Sequence, residues 1–252
     1  MKPIEPQKTP VEVSIVVFPE CDPSIIYGVF DTLWAAGTMS NRMRGLAPEP
    51  MFRCRLVAAR REPLELVTGV TIMPQESIDE VAATDIVFVP NVMVDNADDI
   101  RALDRGLIGW IRRMHEGGAQ LFAACGGAIV LAEAGLLDGQ PATTHWSYVP
   151  LFRDQFPGVD LREERILVQG GSGHSLHCSG GASSWQDLAL YLIAREAGID
   201  EAIRISKIFL YQWHRDGQLP YASMVANVRH GDEAILRCQA WLADHYDESD
   251  VV

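Results

Sequence analysis

The residue best placed to do chemistry in this sequence is Cys125, which lies inside the stretch 119–146. The short apolar run 121–124 is typical of a buried strand, and a helical pattern begins at Ala128 after a Cys-Gly-Gly turn. A strand that passes abruptly into a helix through glycine presents its turn residue at the end of the strand. Because the N–H groups of a helix N-terminus favour a thiolate, this position predicts an exposed, reactive cysteine with a lowered pKa. The alternative is a small, buried and inert cysteine.

A cysteine nucleophile needs a proton carrier and donors for a developing oxyanion. The expected donors are the N–H of Gly126 and the loop at Asn91, which follows the apolar run 85–90. His145 is a candidate general base, and the alternative for it is a histidine that only bonds backbone near the pocket.

The elements that must position these residues alternate along the chain between strand and helix patterns. Strands are predicted at 11–18, 52–59, 70–73, 85–90, 121–124, 142–145, 166–169 and 175–178. Helices are predicted at 24–36 with Ser24 as N-cap, at 77–80, 98–115, 128–137, 148–156, 180–196 and 199–210. This alternation predicts a doubly wound α/β fold, with a mainly parallel sheet and helices on both faces. Ligands bind such sheets at the carboxyl ends of the strands, where Cys125 is expected.

Composition excludes some classes of protein. The chain has 252 residues, with 34 acidic and 21 basic side chains and a net charge of −13, which disfavours nucleic-acid binding by the chain alone. Its five cysteines are scattered and never form a CxxC pair, which favours a reducing, cytoplasmic location. No apolar run is long enough to cross a membrane. His174, His177 and Cys178 are close in sequence, but without a second ligand pair they do not favour a metal site, and no cofactor is expected.

The run CGGAIVLAEAGLLDGQPATTHW, from Cys125 to Trp146, resembles the nucleophile elbow of the ThiJ/PfpI superfamily, whose members are related to class I glutamine amidotransferases. It is most similar to the branch fused to AraC-type transcriptional regulators, with isonitrile hydratases as near cousins. The resemblance implies a flavodoxin-like fold and a pocket at the elbow. Because SGGASSWQDLAL resembles the segment bordering that pocket, the resemblance adds His177, Cys178 and Gly180 to Gly126 and Asn91 as ligand-binding candidates.

Two positions depart from the enzymes of that superfamily. Peptidase-like members carry His after the nucleophile and isonitrile hydratases carry Thr, whereas this chain has Gly126. The register of the first helix places Ile25 where the resemblance to the hydratases implies a catalytic carboxylate. Asp22, a weak candidate, and Glu20 are the nearby carboxylates that could substitute for it. The resemblance therefore implies a small-molecule-sensing domain with a non-catalytic or weakly catalytic pocket. The alternative is a stand-alone cysteine hydrolase or isonitrile hydratase-like enzyme.

The C-terminal segment DEAILRCQAWLADHY resembles the first helix of the AraC-type DNA-binding half. We therefore expect a lead-in at 1–10, a sensor domain at 11–211, a linker at 212–231 and the first helix of a truncated helix-turn-helix domain at 232–252. In this interpretation DNA is bound only through a C-terminal domain beyond the chain, a continuation of the coding frame past Val252 is expected, and the protein is a homodimer.

Overall fold

The computed structural model describes residues 9–212, 214, 217, 218, 234, 235, 237, 238 and 241. Nearly all of the expected lead-in, and most of the expected linker and terminal helix, lie outside the described residues. The five described positions between 234 and 241 are helical, as the pattern of that segment predicts.

The strands and helices alternate along the chain as the apolar patterns predict. The strands are β1 (Val11–Val16), β2 (Phe52–Ala58), β3 (Leu64–Glu65), β4 (Thr71–Ile72), β5 (Glu76–Ser77), β6 (Ile86–Val89), β7 (Gln120–Ala124), β8 (Pro141–Ala142), β9 (Asp160–Leu161), β10 (Leu167–Gly170) and β11 (Leu176–Ser179). The helices are α1 (Pro23–Ala35), α2 (Met39–Met43), α3 (Ala97–Ala102), α4 (Arg105–Glu116), α5 (Gly127–Glu133), α6 (Val149–Gln155), α7 (Trp185–Ala197) and α8 (Ile199–Phe209), with a 3-10 turn at Trp146–Tyr148.

Seven strands form the central sheet in the order β10-β11-β7-β6-β1-β2-β5. Every neighbouring pair is parallel except β10 and β11, which are antiparallel at one edge. The described helices pack in two groups, one of α1, α2, α7 and α8 and the other of α3, α4 and α5. Because β6 and β11 are buried along their whole length, both faces of the sheet are covered, as continuous apolar strands require. The predicted doubly wound, mainly parallel fold is confirmed.

Three local predictions were wrong for identifiable reasons. The helix predicted at 98–115 is two helices, because Asp104 accepts a hydrogen bond from the N–H of Leu107 at 2.8 Å and so begins a second helix. The N-cap of α1 is Asp22 rather than Ser24, whose hydroxyl donates to Asp22 at 2.6 Å. The helix predicted at 77–80 is instead the end of β5, which pairs with β2 and is followed by a turn.

A buried carboxylate holds α8 against the turn between α1 and α2. Glu201 is 1% exposed and accepts hydrogen bonds from the Gly37 N–H, the Ser40 hydroxyl and the Arg204 guanidinium. Burial alone would raise the pKa of this carboxyl, but the three donors more than offset it and the pKa is lowered. α8 is thereby fixed to the turn after α1 and to the start of α2.

Two loops meet at the carboxyl ends of adjacent strands and build the floor of the site. The loop after β1 and the loop after β6 join through an antiparallel bridge between Cys21 and Val92. The strand order reverses between β1 and β6, because α1 leads to β2 on one side while β6 lies on the other. Parallel α/β sheets bind ligands at such a switch point, and Cys125 follows the next strand, β7.

Candidate functional site

Cys125 occupies the sharp turn between β7 and α5, as the sequence predicts. Its φ is +58°, in the left-handed region that non-glycine residues seldom adopt, and its N–H donates to the Ser179 carbonyl at 2.8 Å. Gly127, the first residue of α5, packs directly against the end of β6, since a Cβ on it would lie 2.5 Å from the carbonyl oxygens of Val89 and Pro90. The nucleophile-elbow geometry is therefore present.

The thiol of Cys125 is not exposed, contrary to the prediction from its position. The residue is 4% exposed. The pKa of the Cys125 thiol is raised to about 12, chiefly by burial; a hydrogen bond from the Gly126 amide lowers it in part, and the nearby Asp22 carboxylate makes a smaller contribution that raises it. The helix that follows has seven residues and does not reverse the effect of burial. A neutral thiol at this position is neither a ready nucleophile nor a ready metal ligand.

A chain of hydrogen bonds joins three of the predicted site residues next to Cys125. The Asn91 Nδ2 amide donates to Asp22 Oδ2 at 3.1 Å, and the Gly126 N–H donates to Asn91 Oδ1 at 2.9 Å. The structure thus brings Asp22, Asn91 and Gly126 together, from the ends of three adjacent strands. However, the Gly126 N–H expected to stabilise an oxyanion is already bound to the Asn91 side chain. An oxyanion would have to displace that buried amide oxygen.

Gly126 is enclosed so tightly that no larger residue fits without rearrangement. A Cβ at this position would lie 2.6 Å from Asn91 Oδ1, 2.6 Å from the Val92 carbonyl oxygen and 2.9 Å from Tyr148 Cε2. The Tyr148 hydroxyl donates to the same Val92 carbonyl at 3.2 Å, which fixes the ring over the loop. The Thr or His that superfamily enzymes carry here therefore has no space. Tyr148 is a site residue that sequence reasoning missed.

His145 lies near the elbow but makes no hydrogen bond to Cys125 in the part of the chain that the structure describes. Its Nδ1 is 2.7 Å from the Ser147 hydroxyl and accepts the Ser147 N–H at 3.1 Å, so the ring caps the 3-10 turn. Burial lowers the pKa of His145. The preceding residue ties this segment to the elbow, because the Thr144 hydroxyl donates to the Cys125 carbonyl at 3.0 Å. This geometry favours the alternative of a histidine that bonds its own segment.

His177 and Cys178 are adjacent on β11, so their side chains point to opposite faces of the sheet. His177 stacks on Phe122 with ring centroids 4.3 Å apart and receives a hydrogen bond at 2.8 Å from Arg195 of α7. Cys178 is 1% exposed, and burial raises the pKa of its thiol to about 12. The structure does not bring these two side chains to one pocket rim, and their role in ligand binding stays a prediction that their burial does not favour.

Gln218 contacts the elbow region from the segment that follows α8. It is 1% exposed, and its Oε1 accepts the Trp146 N–H at 3.1 Å. Its Nε2 donates to the Thr143 hydroxyl at 3.1 Å, the Thr144 carbonyl at 2.9 Å and the Arg165 carbonyl at 3.2 Å. Gly180, a predicted site residue, leaves room for this side chain, because a Cβ there would be 2.3 Å from Nε2. A lone glutamine in a polar segment gives no sequence signal for this role.

A second contact from the same segment is made by His214. Its Nδ1 lies 2.6 Å from Asp187 Oδ2, and its backbone N–H donates to Asp187 Oδ1 at 3.0 Å. Asp187 is 4% exposed, in the first turn of α7. His214 and Gln218 line a cavity of about 300 Å³ together with His145, Trp146 and the residues that precede α7. We call this space the α7 cavity.

Among the described residues, no group of three or more His, Cys, Asp or Glu side chains is arranged to hold a metal ion. Over the same part of the chain, every helix is too short or too polar to cross a bilayer.

Comparisons with known proteins match this chain to one family. The sequence profile of the DJ-1/PfpI family matches residues 43–194, more than half of the chain. The chain is 29% identical over 160 residues to the HTH-type transcriptional regulator CdhR of Pseudomonas aeruginosa, which covers 64% of this chain and 45% of that protein. It is 26% identical over 196 residues to an isonitrile hydratase of Pseudomonas putida, covering 76% of this chain and 75% of the hydratase.

A solved structure agrees with the family assignment at the level of fold. An AraC family transcriptional regulator from Pseudomonas putida superposes with a TM-score of 0.64 at 15% identity, covering 79% of this chain and 100% of that chain. The present chain spans about half the length of the curated regulators CdhR and GbdR that it matches.

Proposed function

Because the chain belongs to the DJ-1/PfpI family, we propose that it is the ligand-sensing part of an AraC-type transcriptional regulator, with a pocket that no longer catalyses a reaction. DNA is contacted through a separate helix-turn-helix domain, and the regulator acts in the cytoplasm as a homodimer. The relatives named as HTH-type regulators support the regulatory role, and the elbow geometry supports the loss of catalysis.

The observation that carries the proposal is the hydrogen bond from the Gly126 N–H to Asn91 Oδ1 at 2.9 Å. It occupies the oxyanion donor of a cysteine hydrolase, and the close packing around Gly126 excludes the Thr or His of related enzymes. The neighbouring groups agree with it, because the Cys125 thiol is buried and neutral and His145 is bound within its own turn. A buried thiol without a base or a free oxyanion donor has no route to nucleophilic catalysis.

The experiment is a pair of assays on the purified chain. Turnover of amide, ester and isonitrile substrates should not exceed that of Cys125→Ala, and the chain alone should not shift DNA specifically. Extending the coding frame beyond Val252 should reveal a helix-turn-helix region, and the extended product should shift DNA. Turnover that is lost in Cys125→Ala would contradict the proposal and show that the chain is an enzyme that depends on Cys125.

The second candidate is a stand-alone isonitrile hydratase-like enzyme. The observation in its favour is the match to the Pseudomonas putida hydratase, of which the chain covers 75%. A carboxylate, that of Asp22, also lies close enough to the Cys125 thiol to raise its pKa, although Ile25 stands where the hydratase carboxylate is expected. The lack of space for a hydroxyl-bearing residue at position 126 weighs against this candidate.

A further inference from the structure

We propose that the α7 cavity is the ligand site of this sensor and that it takes a small organic carboxylate. The inference rests on the proposed sensing function and adds the place and the chemical class of the ligand. The cavity is partly open to solvent and has a volume of about 300 Å³, at the small end of the roughly 300–1,000 Å³ of ligand pockets, which suits a small metabolite. Cys125 is not among its lining residues, so the site does not depend on the thiol.

The donors for a carboxylate come from the turn that leads into α7. The N–H groups of Gly181, Ala182 and Ser183 have no acceptor among the residues that the structure describes, whereas the N–H of Gly180 donates to the Ile166 carbonyl at 2.9 Å and that of Ser184 donates to the Gly181 carbonyl at 3.4 Å. Three consecutive N–H groups beside a cavity offer hydrogen bonds to an anion.

His214 also lines the cavity, from the segment that follows α8. Asp187 accepts hydrogen bonds from its backbone N–H and from its Nδ1, which fixes the ring and leaves Nε2 without a partner among the described residues. When Nδ1–H donates to Asp187, Nε2 of the neutral ring is an acceptor, so a carboxylate binds at Nε2 only together with a proton, which turns Nε2–H into a donor. A buried carboxylate that orients an imidazole at a cavity is a common arrangement in binding sites.

The other residues that line the α7 cavity disfavour a cationic ligand. Among the described residues neither Asp nor Glu lines the cavity, so an ammonium group would find no carboxylate partner in that part of the chain. The side chains of Trp146 and Ile166 offer an apolar surface for the rest of the ligand. A carboxylate attached to an apolar group therefore matches both walls.

The position of the cavity links its occupant to the C-terminal part of the chain. His214 and Gln218 belong to the segment after α8, and they form one wall. The Gln218 side chain also holds the Trp146 N–H and the carbonyls of Thr144 and Arg165. A ligand bound against Trp146 and His214 thus touches the segment that continues toward residue 252, with no need for a long pathway through the core.

The test is calorimetric titration of the whole 252-residue chain with acetate, butyrate and benzoate, each against its neutral amide, and with benzylamine as the cation. We expect saturable binding of at least one carboxylate, with affinity about tenfold or more above that of its amide, as the loss of charge-assisted hydrogen bonds requires. His214→Gln should weaken binding by about tenfold, while His174→Asn, at an exposed histidine outside the cavity, should not change it.

Two further variants separate a binding effect from a folding effect. Ile166→Trp should fill the cavity and abolish binding while thermal unfolding remains cooperative, and Cys125→Ser should bind as the parent does. Failure of all three carboxylates to bind, equal binding of acid and amide, or preferential binding of benzylamine would each overturn the inference. None of those results would touch the proposed sensing function, which fails only if Cys125-dependent turnover is found or the extended protein does not bind DNA.

Discussion

Acidification should destabilise this protein through His177, and replacing that residue with Gln should remove the effect. His177 is fully buried, and its Nε2 lies 2.8 Å from a guanidinium nitrogen of Arg195. Because a guanidinium can only donate, Nε2 is the acceptor and the ring is neutral. The proton is then on Nδ1, which is buried and has no partner among the described residues.

The magnitude follows from the difference in pKa between the two states. Burial, and then the charge of Arg195, lower the pKa of His177 from 6.5 to about 4. Below pH 6.5 the unfolded chain binds a proton that the folded chain does not, so the stability that is fully present at higher pH is lost as the pH falls from 6.5 toward 4. Between about pH 7 and about pH 5 the linkage relation gives a loss of about 2 kcal/mol.

Urea unfolding of the whole chain at several pH values between those limits measures this loss. His177→Gln keeps an acceptor for Arg195 but cannot be protonated, so its free energy of unfolding should fall by about 2 kcal/mol less than that of the parent. The control is His174→Asn, an exposed histidine whose φ of +56° suits asparagine. Because the charge of His174 is the smallest of the contributions that lower the pKa of His177, this variant should keep most of the parent's pH dependence. Equal pH dependence in the parent and in His177→Gln would refute the reasoning.

Three other outcomes are expected. Brief iodoacetamide treatment at neutral pH should label the exposed Cys238 first and Cys125 about a thousandfold more slowly, because a thiol with a pKa of about 12 is almost never ionised. Peptide mapping that finds Cys125 labelled first would show that its thiol is accessible and ionised. Gly126→Ala should lower the free energy of unfolding by about 1–3 kcal/mol in urea titrations, because its Cβ would overlap the Asn91 side chain and the Val92 carbonyl. The control Gly109→Ala, whose Cβ would meet nothing nearer than 3.7 Å, should be neutral or stabilising. Equal effects of the two substitutions would mean that the loop around Gly126 rearranges at no cost. Glu201→Gln should lower the free energy of unfolding by about 2 kcal/mol, whereas the exposed control Glu65→Gln should change it little. Since the pKa of Glu201 is lowered on folding, its contribution is present at neutral pH and lost in acid. A Glu201→Gln variant as stable as the parent would contradict the role of this carboxylate in holding α8.

The fold and the position of the elbow could be predicted from sequence because both depend on local patterns. Continuous apolar runs separated by amphipathic segments specify a parallel sheet, and a Cys-Gly-Gly turn between a strand and a helix specifies the backbone at Cys125. The approach of Asp22 to Asn91 also follows, since the ends of neighbouring parallel strands meet at one edge of the sheet.

The burial of the Cys125 thiol could not be predicted, because its cover is not local. Tyr148 and the loop at Val92 close over Gly126 from two different parts of the chain. The break in the helix at Asp104 was missed for a related reason, because an apolar periodicity continues across a side chain that caps a new helix. Gln218 carries no periodicity at all, and only the tertiary fold shows that its amide is buried.

Because the Gln218 amide is buried, the exchange of one backbone proton, that of Trp146, reports on a contact made by the segment after α8. The N–H of Trp146 is held by an atom that arrives from beyond the last helix of the domain. The rate at which this N–H exchanges with deuterated solvent therefore measures how often the hydrogen bond to Gln218 opens, whereas the exchange rates of N–H groups in the neighbouring strands measure opening of the sheet. Trp146 thus reports whether Gln218 is in place, although it lies more than seventy positions earlier in the chain.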